Sequence, residues 1–350
     1  MTHVVGDDGG GAVAREVSVL VRVGRLVGEP LAPAALGQRI LATIHDIVPF
    51  AAAELSIWDP VNRTHRTLTN AGYADPILAY LNDGHDIGFR RALELRRPLR
   101  WGSAPYDYRE TYAPQHVFGP AGYDEGMTAC LFTDDGRYTG VLNLNTTDNE
   151  SVTDRMLELF NELGSTLAHV TDVTRAVAWY ATLIDPDAAA VAVTPGGALL
   201  EIPGRSTEPI LGSTPAFVGL AREFLRSGHE RRRFLWLNRD HGWHRVQILR
   251  TREATVEGVE VALVTAAGTS LPFDLTAREL DVLTLVARGF TNGEIAIRLR
   301  VGTRTVATHL ERLFEKLGQV SRAGLAATAV EEGLLRLRPD DEEVVGAMRG

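Results

Sequence analysis

The chain of 350 residues has one cysteine, Cys130, so no disulfide can close within it. A lone thiol suits a reducing compartment. It lies in the apolar run Gly126–Phe132 and reads as a small core residue. Lysine is equally scarce: Lys316 is the only one, and every other permanently cationic side chain is arginine. A phosphoaspartate receiver needs a lysine near its acidic pair. Asp134-Asp135 has none and stands before Gly136, so it reads as a hairpin turn. No apolar run is long enough to span a bilayer. The opening MTHVVGDDGGG is too polar for a signal peptide, and residues 1–14 are expected to be disordered. A cytoplasmic protein without membrane contact is expected.

The usual catalytic signatures are also missing. There is no Gly-rich phosphate loop, no GxSxG elbow and no HExxH. Asp240, His241 and His244 have a ligand-like spacing but flank a turn, with no cysteine or second cluster in support. His45, His65, His85 and His116 are scattered, as surface or core histidines are. No catalytic residue, metal or cofactor is therefore expected. The net charge of −9 argues against a general nucleic-acid coat. The charge is uneven, however. Leu275 to Arg322 holds eight Lys/Arg against five Asp/Glu, or +3, which leaves −12 on the rest.

That basic stretch organises the chain. Thr276 with Glu279, and Thr291 with Glu294, are capping-box pairs that start two helices. Gly289 ends the first helix. Val301-Gly302 makes a short turn, and Thr303 is expected to cap a third helix over 304–317. Val306, Leu310, Leu313 and Leu317 form its apolar stripe. Arg304, Thr308, Glu311, Arg312 and Glu315 lie opposite, with Ala307 at the margin. Short capped helices around a tight turn are the plan of a helix-turn-helix, and the outer face of the third suits a major groove.

The segment resembles the DNA-binding domain of LuxR/GerE-type transcription regulators. The resemblance rests on Leu275-Thr276, Arg278-Glu279, Val282-Leu283, Gly289, Thr291-Asn292, Glu294-Ile295-Ala296, Leu299, Val301, Thr305-Val306, His309, Lys316-Leu317 and Ser321-Arg322. It covers about 65 residues to Leu337. It implies a four-helix domain whose third helix reads DNA and whose fourth pairs protomers. Thr291, Asn292 and Thr305 would meet the phosphate backbone. With the outward residues of the third helix, the expected DNA-contacting set is Thr291, Asn292, Arg304, Thr305, Thr308, Glu311, Arg312, Lys316 and Arg322. Two groove positions often basic in the family are Ala307 and Glu311 here. A glutamate there could accept from cytosine N4 or repel phosphate.

Upstream, helices are expected over 12–27 and 33–48, strands over 51–60 and 65–73, and a helix over 75–82. Residues 104–123 read as a long loop. A clear hairpin follows over 127–147, then a helix from Thr153 that runs on to Leu183. This order resembles a GAF domain over 15–172, which implies an antiparallel sheet with helices behind and a small-molecule pocket under the loop. Aromatics gather there, and Trp101, Tyr106, Tyr108, Tyr112 and Phe118 are the candidate ligand-binding residues. Residues 173–185 form a connecting helix. Two strands, a helix and three strands over 186–266 resemble a small PAS domain. The expected class is thus multidomain: a GAF-like α+β sensor and a PAS-like α+β domain, followed by an all-α, wingless four-helix helix-turn-helix domain over 272–338 and a tail over 339–350. A DNA-binding regulator follows, binding double-stranded DNA as a homodimer, with RNA polymerase as a further partner and an unidentified small molecule as signal. Two rivals stand beside it: a signalling-nucleotide hydrolase with an appended DNA module, and an adaptor that no longer binds DNA.

Overall fold

A computed structural model describes residues 8–60, 62–103, 107–207, 215–238, 242–251 and 260–337. The chain divides into two compact units, Met1–Val173 and Thr174–Gly350.

The first unit opens with helix α1, Asp8–Val27. It starts ahead of the expected Ala12, so the disordered head is corrected from Asp8 onward. Val19, Val23 and Leu26 bury one stripe of it. Helix α2, Pro33–His45, buries Leu36, Ile40, Leu41 and Ile44. It stops short of the expected Val48 because Pro49 disfavours helical backbone at the residue before it. Strands β1 (Ala52–Asp59) and β2 (Thr64–Ala71) pair antiparallel, and helix α3 spans Asp75–Asp83. Helix α4, Ile87–Leu95, was not expected; Asp86 caps it by accepting from the Phe89 amide at 2.8 Å. Strand β3 is Leu99–Arg100. The expected loop then proves to be a chain of short 3₁₀ turns and one π turn, Pro114–Phe118. Strands β4 (Glu125–Phe132) and β5 (Tyr138–Thr146) follow, then helix α5, Asp154–Thr171, with Thr153 as N-cap.

The sheet order is β2-β1-β5-β4-β3. Period-two alternation gives it two unlike faces. Leu55, Leu142, Leu144, Met127, Ala129 and Leu131 are part of the core packed with α1, α2 and α5. Glu54, Ser56 and Asn143 belong to the other face and are also buried. The excursion at 101–123 packs a second cluster of Tyr73, Trp101, Tyr108, Phe118 and Tyr123.

The helix expected to run unbroken to Leu183 is interrupted. Asp172 is extended (φ −76°, ψ 99°) and its carboxylate receives the Arg137 guanidinium at 3.0 Å. Thr171, just before it, is held by the Thr139 hydroxyl at 2.7 Å. These tertiary ties outweigh a helical periodicity that runs through the break.

The second unit begins with helix α6, Arg175–Ile184. Strands β6 (Ala189–Val193) and β7 (Leu199–Glu201), helix α7 (Pro215–Ser227), and strands β8 (Arg231–Asn238), β9 (Gly242–Thr251) and β10 (Val261–Gly268) follow. Helices α8 (Ala277–Ala287), α9 (Asn292–Leu299), α10 (Thr303–Leu317) and α11 (Arg322–Glu331) come next. The chain then returns as strand β11, Arg336–Leu337, which pairs parallel with β8. The second sheet runs β11-β8-β9-β10-β6-β7. Leu235 of β8 lies in the same core as Leu280, Val306, Leu313 and Leu325 of the helices. The four helices and the sheet are therefore one packed body rather than two modules on a linker. Among the described residues no helix is long and apolar enough to cross a membrane.

Candidate functional site

The four helices are fixed by their ends. Thr276 accepts from the Glu279 amide at 3.2 Å while the Glu279 carboxylate accepts from the Thr276 amide at 2.9 Å. Thr291 and Glu294 repeat the pair. Each cap contributes about 1 kcal/mol. Gly289 takes a left-handed φ of +82° behind α8. The N-cap of α10 is Gly302, with Thr303 as the first helical residue, so the third expected cap is displaced by one position. Ser321 caps α11 by accepting from the Gly324 amide at 3.0 Å.

On α10, Val306, Leu310 and Leu313 are buried, whereas Arg304, Thr305, Thr308, Glu311 and Arg312 are exposed on the far side. Ala307 is half-buried between the two faces. The Thr308 hydroxyl donates to the Arg304 carbonyl at 3.2 Å, which holds it against the helix. One side of α10 is thus held by the core, and a row of donors with two carboxylates, Glu311 and Glu315, faces outward.

The remaining expected contact residues are committed to the fold. The Lys316 ammonium donates to Glu279 Oε2 at 2.8 Å and to the Asp274 carbonyl at 2.7 Å. Burial raises the Glu279 carboxyl, but hydrogen bonds from Lys316 and Thr276, with the lysine's charge, outweigh it and hold the group below its usual range. Arg322 donates to Asn292 Oδ1 at 2.9 Å and to the Phe290 carbonyl, tying α11 to the start of α9. Thr291 spends its hydroxyl in its own cap. Lys316 and Arg322 therefore hold helices together while staying partly exposed, and Thr291 remains exposed at the start of α9 beside the outward row of α10. The sequence marked Arg278 as a motif residue without a role; it donates to the Leu299 carbonyl at 2.6 Å and staples α8 to the end of α9.

In the first unit, Trp101, Tyr108 and Phe118 are brought together and buried. Tyr112 does not join them: it is 64% exposed and stacks near His116. Tyr106 lies outside the described residues. The three buried aromatics line a cavity with Asp86, Asn143 and Asn145. Its volume is about 20 Å³, room for roughly one water. Two buried carboxylates hold the excursion over it. Asp86 accepts from Tyr108 at 2.8 Å and Tyr80 at 3.2 Å. Glu125 accepts from the Trp101 amide at 2.7 Å and from Arg109 at 2.8 Å.

The histidines do not converge. His45 packs on Phe50, His65 bonds Tyr138 at 2.6 Å, His85 meets Asp83, and His116 meets Tyr112. Asp240 and His241 lie outside the described residues, and His244 is buried on β9. No group of three potential ligands that could hold a metal occurs among the described residues. Cys130 is buried, and burial pushes its thiol far up, so it behaves as a core residue.

Comparison with known proteins adds the following. Residues 274–329 match the family described as bacterial regulatory proteins, luxR family. The chain is 43% identical over 70 residues to the oxygen regulatory protein NreC of Staphylococcus aureus, covering 20% of this chain and 32% of that protein. It is 42% identical over 64 residues to the response regulator Rre1 of Synechocystis sp., covering 18% of this chain and 28% of that protein. A putative HTH-type transcriptional regulator of Mycobacterium tuberculosis is 48% identical over 59 residues, 17% of this chain and 7% of that protein. The chain thus spans about a third or less of the length of these relatives. Among solved structures, the GAF domain of a phosphoenolpyruvate-protein phosphotransferase from Coxiella burnetii is similar at 16% identity and a TM-score of 0.39, over 47% of this chain and 96% of that one.

Proposed function

We propose that this chain is a transcription regulator whose helix α10 reads duplex DNA and whose first unit receives a chemical signal. The observation that carries the reading is the outward row Arg304, Thr305, Thr308, Glu311 and Arg312 on a helix whose other side is buried. Arginine at the groove can contact phosphate or guanine, and threonine can contact either edge or backbone. Glu311 would accept from a cytosine amine and reject bases that offer only acceptors there. The match of residues 274–329 to the luxR family, and relatives named as regulators, support the same reading.

The reader is assigned to 272–338, docked through β11 on the sheet of residues 186–266, with 173–185 as connecting helix and 15–172 as the receiving domain. No enzymatic step is part of this function, and no cofactor is invoked. The protein acts in the cytoplasm as a homodimer on a two-fold operator, with RNA polymerase as the machinery it influences. The fourth-helix face Ala323, Ala327 and Val330 is exposed and small enough for two helices to approach closely.

The test is selection of bound fragments from sheared host chromosome, followed by titration of the selected duplex with wild type, R304A and R312A. Each alanine should weaken binding, and each lost phosphate contact should reduce the slope of log K against log salt by about 1. Unchanged affinity and slope in both variants would remove α10 from the interface. Wild type that selects no fragment even at low salt would favour the adaptor reading, to which Ala307 and Glu311 give some support.

A further inference from the structure

We propose that the first unit binds a small molecule bearing a protonated amine, received by Glu54 on the sheet face beneath the 101–123 excursion. The inference rests on the reading of that unit as the signal-receiving part and names what it receives.

Three carboxylates are buried in this unit: Glu54, Asp86 and Glu125. Asp86 and Glu125 are satisfied by the phenols, amides and guanidinium that latch the excursion. Glu54 is not. Its Oε1 accepts from the Thr67 hydroxyl at 2.5 Å, and its Oε2 meets no donor at hydrogen-bond geometry. Two more buried oxygens nearby are also without partners. Ser56 Oγ lies two residues along β1 on the same face, and Asn82 Oδ1 belongs to the amide whose nitrogen donates to Thr67 at 2.8 Å. Asn143, which lines the cavity, stands opposite Glu54 in the β1–β5 register, so Glu54 lies one side chain behind the cavity wall.

The want is one-sided: Glu54 Oε2 and Asn82 Oδ1 can only accept when the carboxyl is ionised, and Ser56 can do either. A protonated amine brings three donors and a positive charge. An unpaired buried carboxylate is costly, and a cation is what removes that cost. The walls suit a cation as well, because Trp101, Tyr108, Phe118 and Phe89 line the same cavity with aromatic faces. Without a ligand the charge is shed instead. Burial pushes Glu54 up to about 7, with the Thr67 hydroxyl bonded to Oε1 and the nearby amides of Asn143 and Asn82, which form no hydrogen bond to Oε2, pulling the other way. The groups around it are Thr67 of β2, Asn82 of α3, Asn143 of β5 and the Tyr73 phenol, and none of these is cationic. The present volume of about 20 Å³ admits roughly one water, so an amine of even two carbons displaces part of the excursion as it enters.

Full-length protein would be titrated by calorimetry and thermal shift with ethanolamine, putrescine and 4-aminobutyrate, and with ethylene glycol and 1,4-butanediol as uncharged counterparts. At pH 6 Glu54 is mostly protonated, so receiving an ammonium expels close to one proton per amine, read from the heat difference between two buffers. At least one amine should bind with that release while its diol does not, and E54Q should bind it at least tenfold more weakly. No binding by any of the three amines, equal binding by the diols, no proton release, or unchanged affinity in E54Q would each overturn the proposal. Proton release is measured on wild type, so it decides even if E54Q fails to fold. Operator binding measured beside it separates the two readings. Failure of wild type to bind DNA would refute the regulator reading while leaving the amine result standing.

Discussion

Removing the Lys316 ammonium would strand a buried acid. Glu279 is 1% exposed, and its Oε2 is shared between the Thr276 amide and Lys316. K316M keeps the aliphatic stem and deletes the partner. A buried pair broken on one side costs several kcal/mol; with Lys316 itself 29% exposed, about 1–3 kcal/mol is expected, read by denaturant unfolding. The pH dependence has a definite sign. Glu279 is held below its usual range when folded, so its stabilisation is present above that range and drains away as pH falls through the folded value. In K316M burial would raise the carboxyl, so the acid loss from this group should shrink or reverse. Unchanged stability at neutral pH would show that the pair is incidental. The same residue shows the limit of sequence at this scale. Lys316 and Arg322 sit on motif positions and carry the right charge, so both read as phosphate contacts. Their partners, Glu279 at 37 positions' distance and Asn292 at 30, are tertiary and leave no local trace. The caps were legible because both members of a capping box lie within four residues.

At the scale of elements, the most informative piece is one of the two shortest. Strand β11 has two residues, yet it closes the second sheet, and Leu235 from β8 enters the helices' core. L235A should therefore cost about 2–5 kcal/mol, as a fully buried Leu does, and the loss should be felt on both sides. Hydrogen exchange of α8 amides and of β9 amides should speed up together. Acceleration confined to the sheet would mean that the reader folds independently of it. Long periodic elements were readable: α10 from its apolar stripe, and β1, β2, β4 and β5 from alternation and turn residues. Helix α4 escaped because it is one short span whose only fully buried residue is Ala92. The break at Asp172 escaped because Arg137 makes it from the connection between β4 and β5. Residues 336–337 read as the end of a helical domain because nothing in two residues announces a strand partner a hundred positions earlier. The cavity's aromatics were legible as a cluster, while the acceptors beneath them were not: Glu54, Asn82 and Asn143 come from three elements.

For the whole molecule, two features combine. The five strands of the first sheet, and the second sheet without β11, follow the same order, 2-1-5-4-3 in their own numbering. Two sheets of like topology precede a reader whose segment is +3 in a chain of −9. An acidic body suppresses indiscriminate DNA binding, so affinity must come from few contacts, and two readers on one site supply what one cannot. The surface proposed for pairing them is the outer side of α11, where Ala323, Ala327 and Val330 are exposed beside Val320, which is 98% exposed. Ala326 packs inward instead, so the seam is narrower than the run of alanines suggests. A327E places a carboxylate at the centre of that seam without touching the reader's core. The variant should fold with stability within about 0.5 kcal/mol of wild type, as exposed substitutions do. It should sediment as a smaller species at concentrations where wild type is dimeric, and two like charges facing each other across a two-fold axis should turn cooperative occupation of a two-half operator into independent occupation of each half. A half-site duplex, which needs one reader, should bind both proteins equally. If A327E retains both the assembly and the cooperativity, the protomers meet through another surface, and the exposed helices α1 and α6, with Val17, Val21, Trp179 and Leu183 outward, become the next to mutate.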